Sequence, residues 1–308
     1  MQDSSQTPCS AVREHGPGTG TNATGGSRFL QAVGLVTLAC FVLAGMDALG
    51  KHLMQHLPAP QVVWARYTFH TLLVGLVFGL QQRQHFLRPR RPWLQLLRGL
   101  CLLGVTLGMY FAIRHVPLGE ATAIMFLAPI LVTLLAGWLL SEQLRPTHLF
   151  ALAIGFAGVL LILRPGTGTF QPALLLPLGS ALLLAFYFIL TRKLRDHDNE
   201  ITTLFHTTIA GSVFLSLLMP WVWVTPTPGE WPALVLMGIL GAAGHLMLIR
   251  AFHLATASSL SPWLNMQIMA AALYGVLLFD DELSLGFITG AGLIAVGGIL
   301  VWRIQKRG

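Results

Sequence analysis

The sequence predicts an all-α integral membrane protein with ten transmembrane helices arranged as two five-helix inverted repeats. Three observations predict it. First, 54% of the 308 residues are hydrophobic and only 10% are charged, against about 25% charged in a soluble domain. Second, apolar runs of about 20 residues, the length of a bilayer-spanning helix, recur along the whole chain. Third, the charges between these runs alternate as the orientation rule for membrane helices requires. The mean hydropathy of +0.68 agrees. Long strands of alternating polarity, the mark of a transmembrane barrel, are missing.

Residues 1–27 are rich in Gly, Ser, Thr and Asn, which cannot bury a core, and are expected to form a disordered cytoplasmic tail. This tail is not read as a cleaved signal, because its apolar run starts late and is long enough to stay as a span. Ten spans follow, at about 29–49, 61–80, 93–114, 117–140, 147–163, 172–192, 201–219, 231–253, 255–279 and 285–303. No loop is long enough to hold a soluble domain.

The basic residues test the count. With the N-terminus placed in the cytoplasm, fifteen of the 19 Lys and Arg, Arg98 among them, fall in inside segments. Lys51, Arg114 and Arg164 fall outside, and Arg66 is left within a span. Adding or losing one helix scrambles this bias, so both termini are expected in the cytoplasm of a bacterial inner membrane. The net charge of +7 is therefore read as membrane orientation rather than nucleic-acid binding. Cys9, Cys40 and Cys101 fit no metal or disulfide spacing.

The chain repeats itself. Tyr110–Val159 aligns with Ile249–Gly298 at a constant offset of 139, so Ala112 meets Ala251 and Gly158 meets Gly297. The acidic corner Ser141-Glu142-Gln143-Leu144 meets Asp280-Asp281-Glu282-Leu283. Gly45–Leu53 aligns with Phe186–Leu194 at offset 141, with Lys51 on Arg192. The repeats are placed at 28–165 and 166–308. Five spans is an odd number, so the second repeat enters the membrane inverted, an arrangement that lets two halves exchange conformations around a central site.

The first repeat reads LRGL (Leu97–Leu100), EATAIMFLAPILVTLLAGWLLSEQL (Glu120–Leu144) and GFAGVLLILRPG (Gly155–Gly166). The second reads ATASSLSPWLNMQIMAAALYGVLLFDDEL (Ala255–Leu283), then a Gly-rich last span. In their order and doubling these segments resemble the EamA-type carriers of the drug/metabolite transporter superfamily. The resemblance implies a ten-helix inverted-repeat fold and transport of small metabolites, often export. MDALGKHL (Met46–Leu53) with VVWARYTF (Val62–Phe69) is similar to bacterial carriers of riboflavin or S-adenosylmethionine. The second repeat departs from the pattern, with Gln267 opposite Ala128 and no proline opposite Pro129.

Ionisable side chains inside lipid are costly and ask for a reason. Arg66 lies about five residues into the second span, roughly 7 Å deep at ~1.5 Å per residue. Asp47 is at similar depth on the first span. The two form either a structural ion pair or a gate, with Arg66 also a candidate for recognising an anion. His70 shares a helix face with Arg66 four residues away. His245, beside Gly241 and Gly244, and Asn265 and Gln267, close to Trp263, lie near the middle of their spans. Together they are expected to line a substrate cavity, and a histidine there can carry a coupling proton. The competing reading is hydrogen bonding between helices. Glu120, Glu142 and Asp280-Asp281-Glu282 sit at helix starts, where the helix dipole favours carboxylates. Gly75/Gly79, Gly104/Gly108 and Gly286/Gly290 are spaced for close helix packing.

Gly45-Met-Asp-Ala-Leu-Gly50-Lys51 imitates a phosphate-binding loop, but His52 follows where Ser or Thr belongs and no strand precedes it. The expected function is secondary transport of a small organic metabolite (amino acid, vitamin or nucleoside-like) by a monomer or homodimer among membrane lipids. No cofactor, metal or catalytic residue is expected. The alternative is an intramembrane enzyme acting on a lipid-borne substrate. Sparse midplane polar groups without paired carboxylates favour the carrier.

Overall fold

The computed structural model describes residues 21–82, 89–139, 146–163, 171–194, 197–198, 200–254, 260 and 263–307. These residues form eleven α-helices and no strand. The first repeat holds α1 (Thr21–Leu53), α2 (Ala59–Gln82), α3 (Pro92–Ile113), α4 (Leu118–Met125), α5 (Ala128–Leu139) and α6 (Pro146–Leu163). The second holds α7 (Leu175–Leu194), α8 (Glu200–Val222), α9 (Glu230–Leu254), α10 (Met266–Phe279) and α11 (Leu285–Arg307). Residues 21–27, expected in the tail, are helical backbone of α1. Once a span is helical, each further residue adds a hydrogen bond at little cost. The corner 141–144 lies outside the described residues.

Eleven helices make ten spans because the fourth is broken into α4 and α5. Pro129 explains the break. It has no N–H to give the carbonyl of Met125. The chain instead tightens, with the Phe126 and Leu127 amides donating to Ala123 and Ile124. The second repeat has isoleucine at the proline's place, yet Asn265, at offset 139 from Phe126, is a turn residue immediately before α10. The broken span is thus common to both repeats, and the proline is not required for it.

The packing shows the duplication directly. α6 packs along α11, and α2 along α8, each pairing one span with its own repeat-mate. α1 packs on α9 as α7 does on α3, α1 on α10 as α7 does on α4 and α5, and α2 on α9 as α8 does on α3. Exchanging the repeats leaves this set of pairs unchanged. The outward surface is apolar, with Leu72, Leu76, Leu217 and Leu285 well exposed. Trp93, Trp221 and Trp231 lie near helix ends, where amphipathic rings settle at a membrane interface. Among the described residues, five helices are each long and apolar enough to cross a membrane, and shorter apolar helices accompany them.

α6 and α11 touch backbone to backbone. A Cβ on Gly158 would lie 2.5 Å from the Gly290 carbonyl oxygen, and one on Gly290 would lie 2.5 Å from that of Gly158. Gly290→Val is therefore expected to force these helices apart and to destabilise by ~1–3 kcal/mol, as overpacking does. An unchanged melting temperature in detergent would show that the contact is not tight.

One end of the bundle is tied across the repeats. Lys51 Nζ, at the end of α1, lies 3.1 Å from Asp281 Oδ2 in the α10–α11 turn, and both side chains are mostly buried. Lys51 also donates to the Val116 carbonyl and sits 4.6 Å from the centre of the Phe279 ring. Asp281 Oδ2 accepts the Leu118 amide at the start of α4. Asp281 is aimed there by the chain's own turn. Asp280 takes a left-handed conformation (φ 53°), and the Asp281 amide reaches back to the Gly275 carbonyl. Gly275 leaves room for the carboxylate, since a Cβ there would stand 2.7 Å from Asp281 Oδ2. At the same end Gln61 exchanges two hydrogen bonds with the backbone of Val224, at 2.7 and 2.9 Å.

Candidate functional site

α2 organises the centre of the protein. Trp64 and Thr68, one turn apart, bond Ser216 and Ser212 of α8 at 2.8 and 2.9 Å, fixing the rotation of α2. Gly211 admits the Tyr67 ring, whose hydroxyl is 2.9 Å from Thr106 Oγ1 of α3. On the other side Gly238 of α9 is closed upon by α2, since a Cβ there would lie 2.9 Å from the His70 amide nitrogen. Arg66 and His70 are thereby turned inward.

Arg66 Nη1 is 3.5 Å from Asp47 Oδ1, and the Tyr110 hydroxyl donates to the same oxygen at 3.3 Å. Gly50 makes room for the Tyr110 ring, and Arg66 stands 5.8 Å from that ring's centre. His70, 3% exposed, meets His245 of α9 edge to face with ring centres 5.8 Å apart. His245 Nδ1 is 2.8 Å from the Gly241 carbonyl, which makes Nδ1 the protonated nitrogen when the ring is neutral. His70 Nε2 has no hydrogen-bond partner among the described residues.

Arg66 and the two histidines border a narrow cavity of about 20 Å³ between α2 and α3 of the first repeat and α7, α8 and α9 of the second. Arg66, Tyr67, His70, Tyr187, Thr207 and His245 are among its lining residues. Asn265, Gln267 and Trp263 are not. Asn265 precedes α10 without capping it through its side chain, and Trp263 is partly exposed. Cys40 of α1 reaches the backbone carbonyls of Trp263 and Leu264, so this stretch packs against α1 rather than on the histidine pair.

Two contributors escape a reading of the sequence. Arg98, counted there with the cytoplasmic charges, is 5% exposed within α3. Its guanidinium donates to Thr191 Oγ1 at 2.7 Å, the Thr203 carbonyl at 3.0 Å, the Tyr187 hydroxyl at 2.6 Å, and Thr207 Oγ1. Tyr187, which lines the cavity, has no polarity signal that separates it from a packing aromatic. The LRGL segment held the available clue, an arginine with glycine beside it. A Cβ on Gly99 would lie 2.7 Å from Ala210 Cβ, so α3 and α8 approach closely just where Arg98 turns in.

A family model described as the EamA-like transporter family matches residues 30–164 and again 171–303. The S-adenosylmethionine uptake transporter of Rickettsia felis is 24% identical over 282 residues, covering 91% of this chain and 95% of that one. The pseudopaline exporter of Pseudomonas aeruginosa is 28% identical over 275 residues, covering 88% and 96%. The riboflavin transporter of Vibrio cholerae is 26% identical over 254 residues, covering 81% and 85%. One solved crystal structure shares the fold, with a TM-score of 0.57 and 21% identity over 93% of this chain and 99% of that one. Matched in each half and packed as two copies of one helix set, this chain belongs to the EamA-like transporter family, as a multi-pass bacterial membrane transporter and not an enzyme.

Proposed function

We propose that this chain is a secondary transporter of a small organic metabolite, an amino acid, vitamin or nucleoside-like compound, that passes through the cavity around Arg66, His70, Tyr187 and His245. The observation that carries the reading is that both repeats supply the cavity wall. A site on the repeat interface is exposed to alternate sides when the units 28–165 and 166–308 rock against each other. With both termini in the cytoplasm, the end tied by Lys51–Asp281 and Gln61–Val224 faces outward and is closed. On this reading Trp263 and Asn265, just before α10, and Gln267, in its first turn, meet the substrate in a state other than this closed one.

Counterflow in proteoliposomes tests the proposal. Vesicles preloaded with unlabelled S-adenosylmethionine, riboflavin or a panel of amino acids should draw in the matching labelled compound without converting it. Exchange at the rate of empty vesicles for the whole panel would refute the substrate class. Cysteine labelling checks the orientation, since an outward-reactive residue within 81–92 would reverse it.

The histidine pair is the candidate coupling site, a role suited to imidazole. His245→Gln keeps an amide near the Gly241 carbonyl but cannot take up a proton. It is expected to fold normally and to flatten the pH dependence of uptake. An unaltered pH profile would remove His245 from coupling.

A further inference from the structure

The charges around the cavity do not balance. Arg66 has Asp47 beside it, but Arg98 is met only by hydroxyls and a carbonyl, with no carboxylate within ion-pair distance among the described residues. An arginine buried this deeply is expensive unless a negative charge compensates it. Its hydrogen bonds also set the polarity of the wall. The Tyr187 hydroxyl accepts from Arg98 and so has its own proton to give. The Thr207 and Thr208 hydroxyls are spent on the Thr203 and Phe205 carbonyls. Arg66 lines the same cavity, as does His70, whose buried Nε2 has no hydrogen-bond partner among the described residues. The lining thus offers donors to an anion from both repeats, Arg66 from the first and Tyr187 from the second, over an excess of one positive charge.

Resting on the carrier reading above, we infer that the cavity seats a carboxylate of the transported metabolite between Arg66, His70 and the Tyr187 hydroxyl, with Arg98 supplying the compensating charge from behind Tyr187. Tyr187 is a binding residue in this arrangement and Arg98 a positioning one. A single excess charge and a narrow space suit a monoanion. A neutral or cationic compound without a carboxylate leaves the donors unmet, and a site built to hydrogen-bond a group discriminates strongly against analogues lacking it.

The test supplies the carboxylate from the protein itself, so it does not depend on knowing the substrate. Thr208 lines the cavity. The full chain is purified in detergent, and the melting temperatures of Thr208→Asp, Thr208→Asn and Thr208→Lys are compared. The expected order is Asp above Asn above Lys, with several degrees between the extremes. The advantage of Asp over Asn should shrink when Tyr187→Phe is added. Asp melting at or below Asn overturns the inference, as does an advantage that Tyr187→Phe leaves intact. If the Asn variant also fails to fold, Leu204→Asp against Leu204→Asn repeats the comparison from another lining position. A stabilised Asp variant, in a protein that exchanges no metabolite in vesicles, would sink the carrier reading and leave the anion seat standing.

Discussion

Arg66→Ala is expected to abolish most of the folded protein, Asp47→Ala to do nearly the same, and the double replacement to recover much of the loss. Both charges are largely buried, 3.5 Å apart, with the Tyr110 hydroxyl also on Asp47. Removing one member leaves an uncompensated charge, which costs ~3–5 kcal/mol, whereas removing both discards the attraction and the burial penalty together. Folded yield by size-exclusion chromatography and melting in detergent give the readout. Additive losses would show that the two do not act as a pair. The recovered double variant should still transport poorly, because Arg66 also lines the cavity.

The second large effect concerns the tie between Lys51 and Asp281. If the repeats rock, Lys51 and Asp281 must part whenever their end of the bundle opens. With Cys9, Cys40 and Cys101 replaced by alanine, Lys51→Cys and Asp281→Cys joined by a short cleavable bismaleimide should bring exchange down to the rate of empty vesicles. Cleaving the linker should restore it. Retained transport in the linked protein would mean that this end never opens. The single variant Asp281→Asn should behave differently. It keeps the shape but loses the charge that holds Lys51 and the Leu118 amide, so it should fold and favour the open state.

The legibility of the sequence ended where rotation about a helix axis began. Span number, order and duplication are written in apolar run lengths and in the alignment at offset 139, and both depend only on position along the chain. Depth is also linear, which is why Asp47 and Arg66 are expected at matching levels. Facing is another matter. In spans apolar on nearly every side, no amphipathic stripe tells which face turns inward. Contacts between distant residues decide it, such as Trp64 with Ser216, or Gly238 under the α2 backbone. Asn265 and Gln267 have the right depth, but α10 packs that stretch against α1. Arg98 escaped for a related reason. An arginine near a span end is normally an orientation signal, and the hydroxyls that retain it here come from two other helices of the second repeat. The Lys51–Asp281 tie escaped because a carboxylate beside a helix start already has a sufficient local explanation in the helix dipole.

A metabolite that passes through the cavity between the repeats must shield, and be blocked by, a group placed on the cavity wall. Leu102, on α3, lines that cavity opposite residues of α8 and α9. In the background lacking Cys9, Cys40 and Cys101, Leu102→Cys is reacted in proteoliposomes with a small methanethiosulfonate reagent, with and without a saturating compound that the carrier exchanges. The compound should slow the modification at least tenfold, the modified protein should exchange no better than empty vesicles, and dithiothreitol should restore exchange. Modification at the same rate with and without the compound, or full exchange through the modified protein, would contradict passage through this cavity.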